Sequence, residues 1–318
     1  MNNIKRFLIY FKRLGLKKTM DRIYKKIGLK KEIDYLEKRY DEWKEMPESE
    51  YPRMLKEWYK ENTGRDLNLE NPITFNEKLQ WLKLYDSSNI KTLLADKYEM
   101  RNWIKDKIGE KYLIPLLGVW DTFDDINFDE LPNAFALKAN HGSGWNVIVK
   151  DKSILDISEA REKFDKWMKT NFAFVGGLEL HYKRIVPKII AEKYIENING
   201  LIDYRFYCFN GIPEQVWVDI YSGTPNHKRD IYDMNWDKIN IKCTWPSGGN
   251  LLSQKPQNFE LMKQFAKILS DGFKFVRVDF FEVDNQLFMG EMTFIPMSGL
   301  GKFEPEEWDY ILGEKIKL

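Results

Sequence analysis

Apolar positions change their spacing before the midpoint of the 318 residues. In the first part they recur at helical intervals. Glu32–Lys44 and Glu50–Asn62 predict polar, aromatic-studded helices, the second stopped at Gly64. Thr74-Phe-Asn-Glu77 has the spacing of a capping box, in which Thr74 and Glu77 each satisfy an orphan amide. The helix it opens presents Leu79, Leu82 and Tyr85 with Trp81 alongside, and Ala95–Ile108 predicts another, ending at Gly109. From Ala134 the runs become short and rich in β-branched and aromatic residues: Ala134–Lys138, Val147–Val149, Ile189–Ile195, Tyr204–Phe209, Ile212–Ile220, Phe275–Phe281 and Gln286–Met292. Asn210-Gly211 between two of them is a strong hairpin signal. Helices at about Ser158–Asn171 and Asn258–Ser270 interrupt the strands. Antiparallel runs with segregated helices predict an α+β architecture.

Charge adds one feature to that picture. The whole chain is nearly neutral at +1, which gives no case for nucleic acid as a partner. Residues 1–31 nevertheless carry a net +10, leaving −9 for the remainder. Phe7, Leu8, Tyr10, Phe11 and Leu14 interleave with those bases. The pattern suits an amphipathic helix on an anionic membrane surface or a partner, and equally a helix packed on its own domain with a solvated basic face. No apolar run approaches the length of a membrane span, and no small-residue cleavage site follows the basic start. Two cysteines without metal-ligand spacing, Cys208 and Cys243, read as reduced thiols in the cytoplasm. Three scattered histidines leave only a hard, carboxylate-held cation as a candidate metal.

Three stretches carry candidate chemistry. In Phe135–Val149 an apolar strand ends at Lys138, the small-residue loop His141-Gly142-Ser143-Gly144 follows, and a strand resumes. Such a loop can lay its amides over polyphosphate oxygens, with Lys138 as a point charge, or it can be an ordinary glycine hairpin. In Phe275–Phe294, Arg277 and Asp279 share one face of a strand, and Glu291 and Thr293 share one face of its hairpin partner. Two acids and an arginine among Val, Phe and Met need a counter-ion, and Mg²⁺, which takes one or two carboxylates, answers this better than a solvated Arg–Asp pair. In Ile189–Glu196 a strand ends abruptly in polar residues, as an adenine-binding edge or a surface strand end would.

The order of these stretches resembles the ATP-grasp superfamily. Thr74–Trp81, Ala95-Asp-Lys-Tyr98, Leu137–Gly144 and Gly290–Pro296 are similar to its branch named for teichuronopeptide biosynthesis, the TupA-like proteins, over roughly residues 70–305. The resemblance implies two α+β subdomains clamping ATP after a helical N-terminal region: a basic segment over 1–48, a helical region with the first subdomain over 49–187, and the second over 188–318. It implies ATP and Mg²⁺ as cofactors. Lys97 and Lys138 would meet the phosphates, with His141–Trp145 as a mobile cover. Glu192, Lys193, Tyr194 and Ile195 would form the adenine hinge, with Glu196 and Asp203 competing for the ribose. Arg277 would hold the transferring phosphate, with Asp279, Glu291 and, less securely, Thr293 on the metal. Lys228, Arg229, Ser298 and Gly299 are candidates for substrate.

The resemblance further implies an ADP-forming carboxylate–amine ligase acting through an acylphosphate. Such an enzyme would join an amino acid or peptide to a sugar acid of a cell-surface polysaccharide. A sugar kinase on the same clamp, and a glycosyltransferase or adaptor of the same pathway, are the alternatives. The expected partners are a glycan or sugar-acid acceptor and an amine donor. The expected location is the cytoplasm, with residues 1–31 in peripheral contact with the inner membrane face or with assembly proteins. Full-length protein should then bind anionic vesicles in a salt-sensitive way that is lost on deleting residues 1–31. Equal vesicle binding by the truncated chain in a co-sedimentation assay would refute membrane contact through this segment.

Overall fold

The computed structural model describes residues 30–195 and 201–318, so nearly all of the basic segment 1–31 lies outside the described residues. The chain divides into two compact units. The first comprises the described residues up to Tyr51, together with Leu116–Leu178 and Tyr182–Tyr194; the second comprises Pro52–Pro115, Glu179–His181 and Ile195–Leu318. Each has its own sheet, and the architecture is α+β. Among the described residues, no helix is long and apolar enough to cross a membrane.

In the first unit, strands β1 (Leu116–Trp120), β2 (Phe135–Ala139), β3 (Asn146–Val149) and β4 (Ile189–Lys193) form an antiparallel sheet in the order β1-β4-β2-β3. Odd-numbered residues of β2 and β4 (Phe135, Leu137, Ala139, Ile189, Ala191) join one buried cluster with Ala160, Phe164 and Trp167 of a helix over Ile157–Met168. Those three helical positions recur at i, i+4 and i+7, the spacing that lays a stripe on a sheet. The helix Lys30–Glu45, α1, belongs to this unit: Asn171 donates its backbone N–H to Tyr40 Oη at 2.9 Å, and Tyr40 and Tyr51 meet the Phe174 ring edge-on.

The second unit is built on six antiparallel strands in the order β11-β10-β5-β6-β7-β8. They are β5 (Ile202–Phe209), β6 (Ile212–Ile220), β7 (Lys228–Asp233), β8 (Lys238–Ile239), β10 (Phe275–Val283) and β11 (Gln286–Thr293). Asn210 and Gly211, both at positive φ, form the tight β5–β6 turn that their sequence foretells. One face is covered by a helix over Phe259–Ser270, whose Phe259, Met262, Phe265, Ala266 and Leu269 share a core with Phe206, Val216, Val218, Val276, Val278 and Phe280. Part of the other face packs on α3 (Phe75–Tyr85): the Phe75 ring contacts Tyr207, Phe209, Phe275 and Phe303. Both cysteines are buried free thiols.

The capping box at Thr74 is present as expected, with Glu77 N–H on Thr74 Oγ1 at 3.2 Å and Thr74 N–H on Glu77 Oε2 at 3.0 Å. The helix expected over Ala95–Ile108 is instead two, Asn89–Ala95 and Met100–Ile108. Asp96 breaks it: its side chain accepts from the amides of Tyr98 (2.8 Å) and Glu99 (3.2 Å), a local turn that competes with helical bonding. Lys97 sits on that turn. Residues 228–233, for which no strand was expected, are strand β7.

Helix α8 (Glu307–Lys315) is fastened to the start of α3 by Asn76, which donates its backbone and side-chain N–H to the Asp309 carboxylate, both at 2.9 Å. Gly313 allows that approach, since a Cβ there would lie 2.2 Å from Ile73 O and 2.8 Å from Phe75 N. An exposed helical Gly→Ala change ordinarily stabilises by about 1 kcal/mol. Gly313→Ala should instead destabilise by about 1–3 kcal/mol, because backbone atoms must move. A melting temperature equal to or above that of the wild type would show that α8 does not pack this closely.

Candidate functional site

In the first unit, Lys138 on β2 and Glu192 on β4 point away from the helix-covered face. Lys138 Nζ donates to Glu192 Oε2 at 2.5 Å, with Glu192 buried and Lys138 half-buried. The loop after Lys138 is anchored at both ends. Asn140 Oδ1 accepts from Lys188 N at 2.7 Å, and the His141 ring nitrogens lie 3.1 Å from Asn140 Oδ1 and 3.0 Å from Trp167 O. Trp145 is buried, stacked against Trp167 and edge-on to Phe172. Gly142 is required here, because a Cβ would sit 2.4 Å from the Trp145 ring. His141 and Trp145 thus hold the loop from below, while Ser143 is exposed and Gly144 turns at φ +71°. Lys193 is exposed, and Tyr194 and Ile195 are half-buried where the chain passes from one unit to the other. Glu196 lies outside the described residues.

In the second unit, alternate residues of five adjacent strands form a face of charges. Arg277 donates from Nε and Nη2 to the two Asp279 oxygens (2.7 and 2.5 Å), and from Nη2 to Glu291 Oε1 at 3.0 Å. Thr293 Oγ1 also donates to Glu291 Oε1 at 3.2 Å. The pairing of β10 and β11 shifts between Val278 and Phe280, so that Gly290 and Glu291 together face Asp279. This bulge keeps Glu291 and Thr293 beside Arg277 while the rest of β11 turns its other side to that face. A Cβ at Gly290 would come 3.3 Å from Asp279 O.

The network continues into β5, β6 and β7. Arg205 lies 3.9 Å from Asp279 Oδ2, 2.6 Å from Asp219 Oδ2 and 2.9 Å from Asp203 Oδ2. Ser222 Oγ donates to Asp203 Oδ2 at 2.6 Å. Arg229 donates from Nε and Nη2 to the two Asp219 oxygens, both at 2.6 Å, and lies over the Trp217 ring. Lys228, half-buried, opens the same strand.

The two buried aspartates behave differently. Burial raises the Asp219 carboxyl, but Arg229 and Arg205 outweigh it and hold Asp219 well below the usual carboxylate range. Burial of Asp279 wins over Arg277 and Arg205, and pushes its carboxyl up to about 6. Burial also raises Glu291, but Lys97, then Arg277 and Arg205, bring it below its ordinary value. Burial, not a missing partner, is what lifts Asp279, whose two oxygens are both held by Arg277. Among the described residues no three His, Cys, Asp or Glu side chains converge as a metal-holding group. Around Arg277, the oxygens of Asp279, Glu291 and Thr293 are the nearest donors a cation could use.

Ser298 and Gly299 lie just beyond β11 in a left-handed turn, with φ of 54°, 53° and 64° at Met297, Ser298 and Gly299. Non-glycine residues in this region cost about 1–3 kcal/mol each and persist when their surroundings hold them. Here Gln80 Nε2 donates to Ser298 O (3.2 Å) and Gly299 O (2.8 Å), Lys83 Nζ donates to Ser298 O (2.9 Å), and Ser298 Oγ donates to Glu179 Oε1 (2.6 Å). Burial pushes the Lys83 ammonium down to about 7, opposed by Glu179. The sequence reading singled out none of Arg205, Asp219, Gln80, Lys83 or Glu179. The alternation of Asp203 and Arg205 within an apolar strand was a usable signal, whereas nothing local ties Glu179 to Ser298.

The sequence model of the TupA-like ATP-grasp family matches residues 77–317. A search of curated proteins gives no match. Among solved structures, the chain is similar to D-alanine–D-alanine ligase from Bacillus anthracis complexed with ATP (16% identity, TM-score 0.40, 66% of this chain and 58% of that one). It is similar also to the Helicobacter pylori D-alanine–D-alanine ligase (19%, 0.38, 70% and 58%). A third is the ATP-grasp ligase PsnB complexed with minimal precursor, Mg and ADP (11%, 0.36, 69% and 57%). The chain spans under three-fifths of the length of each of these three proteins. The family match runs over most of the chain, and the protein belongs to the TupA-like ATP-grasp family.

Proposed function

We propose that this protein is an ATP- and Mg²⁺-dependent carboxylate–amine ligase that works through an acylphosphate. Its acceptor would be a sugar acid of a cell-surface polysaccharide, and its donor an amino acid or peptide. Family membership supports the nucleotide. The observation that carries the phosphoryl chemistry is the buried Arg277–Asp279–Glu291 cluster, which gathers two carboxylates around one guanidinium. Asp279 and Glu291, with Thr293, fit a Mg²⁺ that takes two carboxylates and completes its shell with phosphate and water. Bound there, the ion would neutralise charge on the phosphates.

The protein's own groups would do the rest by positioning. On the first unit, Lys138 would supply a cation, and the amides of residues 142–144 and the Ser143 hydroxyl would supply donors, to polyphosphate. Glu192–Ile195 would meet the adenine. On the second, Arg277 would hold the oxygens of the transferring phosphoryl group, with its charge fixed by Asp279 and Glu291, and Lys97 would add positive charge beside Glu291. The substrate carboxylate attacks the γ-phosphorus and ADP leaves. The amine then attacks the acyl carbon, and phosphate departs carrying one former carboxylate oxygen. The donor amine is the nucleophile, so no side chain is required in that role.

Mg·ATP should raise the melting temperature, by about 2.7 kcal/mol of added stability at 100 times Kd. Lys138→Ala should lower the apo melting point modestly, as Glu192 loses a partner, and remove most of the ATP-dependent increment. An undiminished increment in differential scanning fluorimetry would take Lys138 out of the nucleotide site.

Asp279→Asn and Glu291→Gln preserve shape while removing charge; each should cut turnover by a hundredfold or more, and Asp279→Asn, which takes the bidentate partner from buried Arg277, should also lower the melting temperature. A substrate carboxylate labelled with heavy oxygen should pass one label to free phosphate. Label in AMP would mean an adenylate route, and label retained wholly in the product a kinase. Mass spectrometry of phosphate, AMP and product separates the three.

A further inference from the structure

In the left-handed turn after β11, the backbone alone gives no reason for a serine. Glycine adopts positive φ without strain, and the turn uses one at Gly299, yet Ser298 stands at φ 53°. Its carbonyl is already held by Gln80 and Lys83. What the serine adds is a hydroxyl, and this donates to Glu179 Oε1 at 2.6 Å. Met297, the residue before it, lays its Sδ 3.9 Å from Arg229 Nη1 and 3.9 Å from Thr244 Oγ1, where Thr244 is itself in a turn at φ +67°. Ser298, half-buried, therefore stands at the border of the charged face.

Behind that hydroxyl lies a carboxylate in an unfavourable position. Glu179 is 6% exposed, and its only ion-pair neighbour among the described residues is His181 Nε2, at 4.0 Å. His181 does not supply the charge: burial, with Lys91 and Lys83, pushes its imidazole down to about 3. Lys83 on α3 is the cation that acts on Glu179, but its Nζ bonds Ser298 O and lies 4.4 Å from the Trp58 ring centroid. Lys91, from the helix Asn89–Ala95, is paired with Asp86 at 2.7 Å. Burial accordingly raises the Glu179 carboxyl above its ordinary value, against Lys83 and the Ser298 hydroxyl. Buried carboxylates held this sparingly call for an explanation. One linked to a half-buried hydroxyl is placed to accept a proton.

We infer that Ser298 and Glu179 form the amine-donor subsite, in which Ser298 Oγ receives an N–H of the incoming ammonium and Glu179 takes the proton. This rests on the ligase reading above and deepens it, by assigning the donor's place and the removal of its proton. An amino acid brings its amine as an ammonium, which has no lone pair for attack. Ser298 Oγ accepts a proton from the ammonium as its own proton passes to Glu179 Oε1, leaving a neutral amine and a carboxylic acid. The amine nitrogen then bonds to the acyl carbon, the bond from that carbon to the phosphate oxygen breaks, and the second N–H proton leaves with the phosphate. Ser298 touches the donor. Glu179 acts through it and forms no bond to substrate.

The test compares two nucleophiles on the full chain with Mg·ATP and a mixture of uronic acids. One is hydroxylamine, already a free base at neutral pH; the other is a mixture of the common amino acids, which arrive as ammonium ions. Glu179→Gln keeps an acceptor for the Ser298 hydroxyl but cannot take a proton, and Ser298→Gly suits the positive φ while removing the hydroxyl. By mass spectrometry, each variant should lose about a hundredfold in amide formation at pH 7, while hydroxamate formation stays within about twofold of the wild type. With Glu179→Gln, the amide rate should then climb about tenfold per pH unit toward the amine's own pKa, where the wild type is level. An equal fall for both nucleophiles would make the pair a brace for the turn, and no fall for amino acids would take it out of the subsite; either overturns the inference and leaves the ligase reading standing. No hydroxamate from the wild type would instead overturn the ligase reading, and this inference with it. The Mg·ATP melting shift should be the same in all three proteins.

Discussion

Charge balance on one face of the six-stranded sheet is the constraint on which the second unit depends. Asp203, Asp219, Asp279 and Glu291 alternate across neighbouring strands with Arg205, Arg229 and Arg277, and most of these side chains are buried. Removing such ions from water costs several kcal/mol each unless geometry and hydrogen bonds restore it. The bidentate pairs Arg277–Asp279 and Arg229–Asp219 meet that condition, and Arg205 links them. A slip of one residue in any strand would send its charges into the core beneath Phe259–Ser270. The ion pairs therefore make register a matter of high cost as well as of apolar pattern.

The same face carries two textures. Toward α3 it is aromatic: Tyr207 stacks on Trp217 at 4.0 Å, and Phe75 sits among Tyr207, Phe209 and Phe275. Beyond this layer it is ionic, and Arg229 over the Trp217 ring marks the border. The aromatic layer keeps water from one side of the charges, which strengthens their interactions and adds to the burial that lifts the Asp279 carboxyl. Helix α3 has a second task, since Gln80 and Lys83 hold the carbonyls of the left-handed turn that follows β11. In the first unit packing plays the corresponding part: Trp145 and His141 anchor a glycine loop in which Ser143 is exposed.

Much of the fold was legible because it rests on local rules. The capping box at Thr74, the Asn210-Gly211 turn, the stop at Gly109 and the period-two pairs Arg277/Asp279 and Glu291/Thr293 each follow from residues within a few positions of one another. Where a local rule was overlooked, the expectation failed for a local reason: Asp96 offers its side chain to two amides and divides a helix. Gly290 inside a strand was the available sign of the bulge that aims Glu291.

The sequence by itself determined the α+β class and the family and singled out the candidate site residues, because motif spacing and periodicity are short-range properties. Tertiary structure alone decided which charges are partners. Arg229 reads as a basic surface residue until β6 brings Asp219 beside it, and Lys138 and Glu192, 54 positions apart, meet because β2 and β4 are neighbours. Glu179 finds Ser298 across 119 positions, and the Thr244 turn presents Trp245 to His227. Such pairings depend on strand order, register and burial, and electrostatic strength in a low-dielectric interior depends on all three, so no window of sequence contains them.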